Sequence, residues 1–115
     1  MTIYKRGDVV LVPFPFSDQS TSKKRPAVII SSDRYNKLSS DIIIMAITSK
    51  THQADGPAQY AIEDWEKTGL LAPSLIKAAV STIELKLIIK KLGRFSSKGI
   101  HLLEKALTEL FGLKP

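Results

Sequence analysis

The chain has no cysteine. Structural disulfides and thiolate metal sites are therefore excluded, and a reducing compartment suits it. Long apolar runs are missing too, so no transmembrane helix is expected. Lys5 and Arg6 are followed by Gly7-Asp8 and then by a run ending at Pro13, without a small-residue cleavage site, which does not fit a signal peptide. These absences predict a cytoplasmic protein. Repeats, low-complexity tracts and linkers are also lacking. With 115 residues, one domain spanning 1–115 is expected, long enough to bury a core without disulfides or metals. Acidic charge is in short supply: 17 Lys+Arg against 11 Asp+Glu leave a net charge of +6 and a pI near 9.7. Solubility alone accounts for an excess of this size, but the excess also favours an anionic partner, nucleic acid first and an acidic protein segment second.

Familiar catalytic constellations are missing as well. Asp41, Asp55, Glu63, Asp64, Glu66, Glu84, Glu104 and Glu109 are scattered and form no paired-carboxylate motif. His52 and Asp55 are three residues apart, as are His101 and Glu104, yet one imidazole and one carboxylate do not make a metal site. His101 reads as part of a solvated helix face. His52 reads as an ordinary loop histidine, with contact to a base or phosphate as the alternative. No glycine-rich phosphate cradle and no nucleophile elbow occur. Neither a metal nor a cofactor is expected. Tyr60 and the single tryptophan, Trp65, are candidates for stacking on bases, though packing is the more ordinary use of such rings.

What the chain does have is a series of short apolar, β-branched runs. Val9 to Phe14 reads as a strand buried on both faces. Pro13 and Pro15 limit its pairing, so it should end early or lie at an edge. Ser17 to Lys24 is a polar loop, and Pro26 to Ser31 is a second strand. Asp33 to Leu38 reads as a short turn or helical piece capped by Asp33. Asp41 to Thr48 is the clearest strand; a second polar loop, Ser49 to Pro57, follows it. Gln59 to Ile62 is a short strand, Glu63 to Gly69 a turn around Trp65, and Ser74 to Ile83 an extended segment. Ser81-Thr82 is a candidate cap for a helix over roughly Glu84 to Leu92. The last helix is capped by Ser97, carries Ile100, Leu103, Ala106, Leu107, Leu110 and Phe111 on one stripe, and stops at Gly112. The expected architecture is α+β, a small bent antiparallel sheet or partial barrel with helices packed on it.

Cations and hydroxyls at strand ends remain as candidate chemistry. Lys23-Lys24-Arg25 precede Pro26, which biases Arg25 toward extended backbone. A guanidinium suits a phosphate, gripping it through two parallel hydrogen bonds. The plain alternative is a basic turn kept in solution by its charges. If the second and third strands are antiparallel neighbours, Arg25 at the start of one faces Thr48-Ser49 at the end of the other. Together they are suited to stabilising charge on a phosphorane-like transition state.

Successive blocks of the chain resemble the MazF/PemK/Kid toxins: Gly7-Asp8-Val9-Val10, Arg25-Pro26-Ala27-Val28-Ile29-Ile30-Ser31, Tyr35-Asn36 and Ala46-Ile47-Thr48-Ser49. Further blocks are Gly69-Leu70, Ser74, Ser81-Thr82-Ile83 and Leu92-Gly93-Arg94-Phe95. Their order and spacing span nearly the whole chain. The resemblance implies an SH3-like partial barrel of the CcdB/PemK/MazF type with a C-terminal helix, a homodimer, and a sequence-specific endoribonuclease toxin acting on single-stranded mRNA. It implies Arg25 and Thr48 as catalytic residues, and Phe16, Ser17, Lys23, Lys24, Ser49, Lys50, His52 and Ser74 as RNA contacts; Lys77, in a segment that departs from the family, is a further candidate phosphate contact. It also implies an antitoxin whose acidic tail covers the RNA groove, and 2′,3′-cyclic phosphate and 5′-hydroxyl products. The segment Lys77-Ala78-Ala79-Val80 departs from relatives that carry polar or acidic residues there. The rival reading is a non-catalytic CcdB-like gyrase-binding toxin or a degenerate RNA binder. The gyrase reading is disfavoured because Trp65 is far from the chain's end.

Overall fold

The computed structural model describes residues 3–14, 23–51 and 56–114. The apolar runs become five strands: β1 (Asp8–Phe14), β2 (Lys23–Ile29), β3 (Asp41–Thr48), β4 (Leu75–Glu84) and β5 (Lys90–Arg94). They form one sheet in the order β4-β3-β2-β1-β5, with every neighbouring pair antiparallel. Helices α1 (Asp33–Leu38) and α2 (Ser97–Phe111) complete the expected α+β architecture.

The near-continuous apolar character of β1 and β3 arises because the sheet is covered on both faces. On one face Val9, Val28, Met45 and Ile47 meet Leu103 and Ala106 of α2, together with Ile62, Leu70 and Phe95. On the other, Val10, Val12, Ala27, Ile29, Ile42, Ile44 and Ile83 are covered by Tyr4, Leu85 and Ile88. Pro13 is accommodated locally. β5 accompanies β1 only from Asp8 to Leu11, so the outer end of β1 pairs with β2 alone. There a missing N–H leaves no partner unsatisfied.

The helix expected over Glu84 to Leu92 is not formed. Leu85–Leu87 make a single 3-10 turn, and Lys90–Arg94 are strand β5. Ile88-Ile89 are β-branched and Gly93 is a poor helix former, while β1 offers an open edge to pair with. Other differences are small. The caps are Ser32 and Ser96, whose hydroxyls accept from the Tyr35 and Gly99 N–H groups, one residue before Asp33 and Ser97. Gln59–Ile62 contributes only an isolated bridge, Ala61 to Leu75. Gly112 ends α2 in the left-handed conformation, φ 66°.

The sheet must curl. Glu84 to Lys90 carries the chain from the β4 edge to the β5 edge. A 3-10 turn advances only about 2 Å per residue and extended links about 3.4 Å. Roughly 16 Å is therefore available, whereas four flat strand spacings need about 19 Å. The edges are drawn toward each other into a partial barrel that does not close.

Two polar anchors, one fully buried and one half-buried, hold β1 and the helices. Asp8 is fully buried and accepts from Lys5 N–H at 2.8 Å and from the Arg94 guanidinium at 2.9 Å, with the Lys91 ammonium at 3.3 Å. Arg6 donates to the Ile30 carbonyl through Nε, gives its backbone N–H to Asp33, and lies 3.6 Å from Glu104. Glu104 thus serves α2 docking rather than a site with His101. No helix among the described residues is long and apolar enough to cross a membrane.

Candidate nucleic-acid interface

A cleft of about 700 Å³ opens at the end of the sheet where β2 begins and β3 ends. Its cations are Lys24, Arg25, Lys50, Lys77 and Lys90; no carboxylate stands among the described residues that line it. Like charges are gathered there with no neutralising carboxylate among the described lining residues, so the cleft favours an anion. None of these five cations forms an ion pair with a carboxylate among the described residues.

The register explains how Arg25 and Thr48 meet. β2 and β3 pair through Ala27–Ala46, Val28–Met45 and Ile29–Ile44. Continued toward the cleft, that register sets Arg25 opposite Thr48, and both line it. Thr48 Oγ1 accepts from the Lys50 N–H at 3.1 Å. This local turn fixes the hydroxyl and leaves its own O–H to donate outward. Ser49 and Lys50 follow, exposed, on the rim. Ser74 is buried, and its hydroxyl donates to the Ala72 carbonyl at 2.8 Å. Lys77, two residues into β4, is exposed and reaches the same cleft.

Lys23 stands apart: it is exposed, paired across the ladder with Phe14, and does not line the cleft. Phe16, Ser17 and His52 lie outside the described residues. The two rings weighed as base platforms are engaged elsewhere. Trp65 packs against the core. The Tyr60 hydroxyl donates to the Glu109 carboxylate at 2.5 Å, and Lys105 lies 5.0 Å from its ring centroid. That hydrogen bond to Glu109 holds the Tyr60 phenol above its ordinary value of 10.0.

Residues given no site role from the sequence complete the cleft. Leu11, Pro26, Ile47, Leu70 and Leu92 give it an apolar lining, and Leu71 stands on its rim with 98% of its surface exposed. Lys90 enters because its segment is a strand beside β1. The wall bearing Leu70 and Leu71 is set by a glycine pair. Gly69, at φ 83°, lies so close to β5 that an added Cβ would stand 2.7 Å from the Leu92 carbonyl carbon; one on Gly93 would stand 2.6 Å from the Thr68 carbonyl carbon. Only glycines let the two backbones approach this far. Ser96 Oγ to Asp64 at 2.5 Å and the Lys98–Glu63 ion pair tie the same wall to the start of α2. Among the described residues no group of three or more His, Asp or Glu side chains gathers in metal-binding fashion.

A curled, open antiparallel sheet with a C-terminal helix and a cationic cleft at its strand ends defines an α+β protein whose cleft suits an anion. The match to known families is more specific. The family model described as PemK-like, MazF-like toxin of type II toxin–antitoxin system matches residues 5–111, and the chain belongs to that family. Solved structures share the fold. An endoribonuclease in complex with its cognate antitoxin from a mycobacterial species is 18% identical, covering 100% of this chain and 99% of that one, TM-score 0.78. A mycobacterial endoribonuclease is 17% identical, covering 100% and 97%, TM-score 0.79. A MazE–MazF structure from Deinococcus radiodurans is 15% identical, covering 98% and 100%, TM-score 0.77.

Proposed function

We propose that residues 1–115 form one toxin domain that cuts single-stranded RNA at a phosphodiester held by Arg25 and Thr48. The cluster of cations around these two residues, with no carboxylate among the described lining residues, is the observation that supports this reading most strongly. The neighbours of the same fold named as endoribonucleases agree with it. The RNA's own 2′-oxygen attacks phosphorus. The new 2′-O–P bond forms, the P–O5′ bond breaks, and the proton of the 2′-hydroxyl ends on the departing 5′-oxygen. Products are a 2′,3′-cyclic phosphate and a 5′-hydroxyl. Arg25 shares in the proton transfer, and its guanidinium stabilises the charge that accumulates on the phosphorane. Thr48 donates its free O–H to a non-bridging oxygen, and Ser49, Lys50, Lys24 and Lys77 hold the flanking strand. Unstacked RNA fits because its bases can be splayed in a groove.

In this reading the protein works in the cytoplasm as a homodimer. Its antitoxin inserts an acidic, disordered tail into the same cleft and competes with RNA. The test is to incubate purified protein with a long RNA in EDTA and map the ends. Cleavage should persist and leave cyclic phosphates. Loss of cleavage in EDTA, or 3′-hydroxyl ends, overturns the mechanism.

A further inference from the structure

Lys90 and Lys91 are neighbours on an edge strand with different fates. Lys91 stands 3.3 Å from the buried Asp8 carboxylate. Lys90 lines the cleft, is exposed, and meets no carboxylate among the described residues. The ladder fixes its surroundings. Leu11 is paired with Pro26 on one side and with Lys90 on the other. Side chains directly opposed across a ladder share a face, so Pro26, Leu11 and Lys90 form one row over three strands. Leu92 and Leu70 line the same cleft, and Leu71, also in its lining, is exposed. Arg25 belongs to β2, two strand spacings from β5 and thus about 10 Å away in the sheet. The cleft therefore has two different ends: hydroxyls and a guanidinium at β2–β3, and an apolar slot ending in a lone ammonium at β1–β5.

We infer that the slot formed by Pro26, Leu11, Leu92 and Leu71 takes one unstacked nucleobase, and that Lys90 holds the phosphate beside it. This rests on the reading of the cleft as an RNA site. An apolar slot accepts the face of any base, so it selects by size and position rather than by edge hydrogen bonds. It sets the register of the strand, fixing which phosphate arrives at Arg25 and Thr48. Lys90 is here a positioning residue: it acts on a phosphate other than the scissile one.

The experiment measures binding of a single-stranded RNA with methylated 2′-oxygens, which cannot be cut, as salt is varied. Lys90→Gln should reduce the slope of log affinity against log salt by about 0.7, the share of one phosphate on a single strand. Lys90→Arg should restore it, and Lys86→Gln, whose lysine pairs with Glu84, should leave it unchanged. Leu71→Ser should weaken binding about fivefold, at the low end for a base contact. That loss should vanish when a single abasic position is placed at one particular nucleotide of the strand. On cleavable RNA, Lys90→Gln should raise KM and blur the cut position with little change in kcat. An unchanged salt slope in Lys90→Gln, in a protein that still cuts RNA, overturns this inference alone. So does a loss seen only with an acidic peptide, which would make the slot a site for the antitoxin tail. A wild-type protein that neither binds nor cuts single-stranded RNA overturns the functional reading as well.

Discussion

Three glycine-to-alanine changes separate two costs that coincide in the cleft wall. Gly112→Ala places a Cβ in open space at φ 66°. It bears only the left-handed penalty, about 1 kcal/mol. Gly93→Ala has no positive φ, but its Cβ runs into the Thr68 backbone. A backbone obstacle cannot rotate away, so the overpacking range applies, about 2 kcal/mol. Gly69→Ala meets both, with φ 83° and the Leu92 carbonyl in its path. Its loss should approach the sum, about 3 kcal/mol. Urea unfolding followed by tryptophan fluorescence should rank the variants in that order, with thermal midpoints falling about 4 °C per kcal/mol for a chain this size. The wall carries Leu70 and Leu71 into the cleft, so Gly69→Ala and Gly93→Ala should also lower RNA affinity in protein that remains folded, while Gly112→Ala should not. The double variant Gly69→Ala/Gly93→Ala should lose less than the two singles added, because one displacement relieves both clashes. A Gly69→Ala protein within about 0.5 kcal/mol of wild type would refute the close-approach argument.

Arg25→Ala should abolish cleavage while changing stability by only about half a kcal/mol; a large fall in thermal midpoint would instead make Arg25 a structural partner. Asp8→Ala should cost about 2 kcal/mol or more, since charge-assisted bonds from Arg94 and the Lys5 N–H go together, and calorimetry reads this directly. Hydrogen bonds to Glu109 and Glu63 hold the Tyr60 phenol and the Lys98 ammonium above their ordinary values of 10.0 and 10.5. The stability these pairs add is therefore complete below those values and is lost as pH rises through the raised ones. Glu109→Gln and Glu63→Gln should lower the thermal midpoint at neutral pH, and the difference from wild type should shrink in strong alkali. RNA binding should weaken more steeply with salt than binding of an acidic antitoxin tail, part of whose affinity is apolar.

The meeting of Arg25 with Thr48 was legible because strand ends can be read from composition, and antiparallel neighbours bring the start of one to the end of the next. β3 was legible to the residue, since Ile42-Ile43-Ile44 has no competing structure. Lys90 was not legible. Its segment mixes leucines, isoleucines and lysines at spacings that a helix accommodates, and only the unpaired edge of β1, some eighty residues earlier in the chain, decides for a strand. The same holds for the apolar slot: Leu11 sits in an apolar run and Leu92 at the end of the expected helix, and only the ladder register sets Leu11 between Pro26 and Lys90 at an open end. The ring of Tyr60 carries no local sign of its engagement, because its partners Glu109 and Lys105 lie on α2.

The strand order has a consequence for the birth of the molecule. β1 to β4 follow one another around the sheet, but β5 returns to the far side of β1, and α2 comes later still. A nascent chain emerging from the ribosome can lay down the first four strands in sequence, since chains organise from the N-terminus during synthesis. It then already carries Arg25 and Thr48. It lacks the cations and leucine of β5, the wall that Gly93 braces, and the arginine that secures Asp8. The cleft is thus complete only once β5 has paired with β1. A partly made copy carries Arg25 and Thr48 in a cleft whose β5 side is still open.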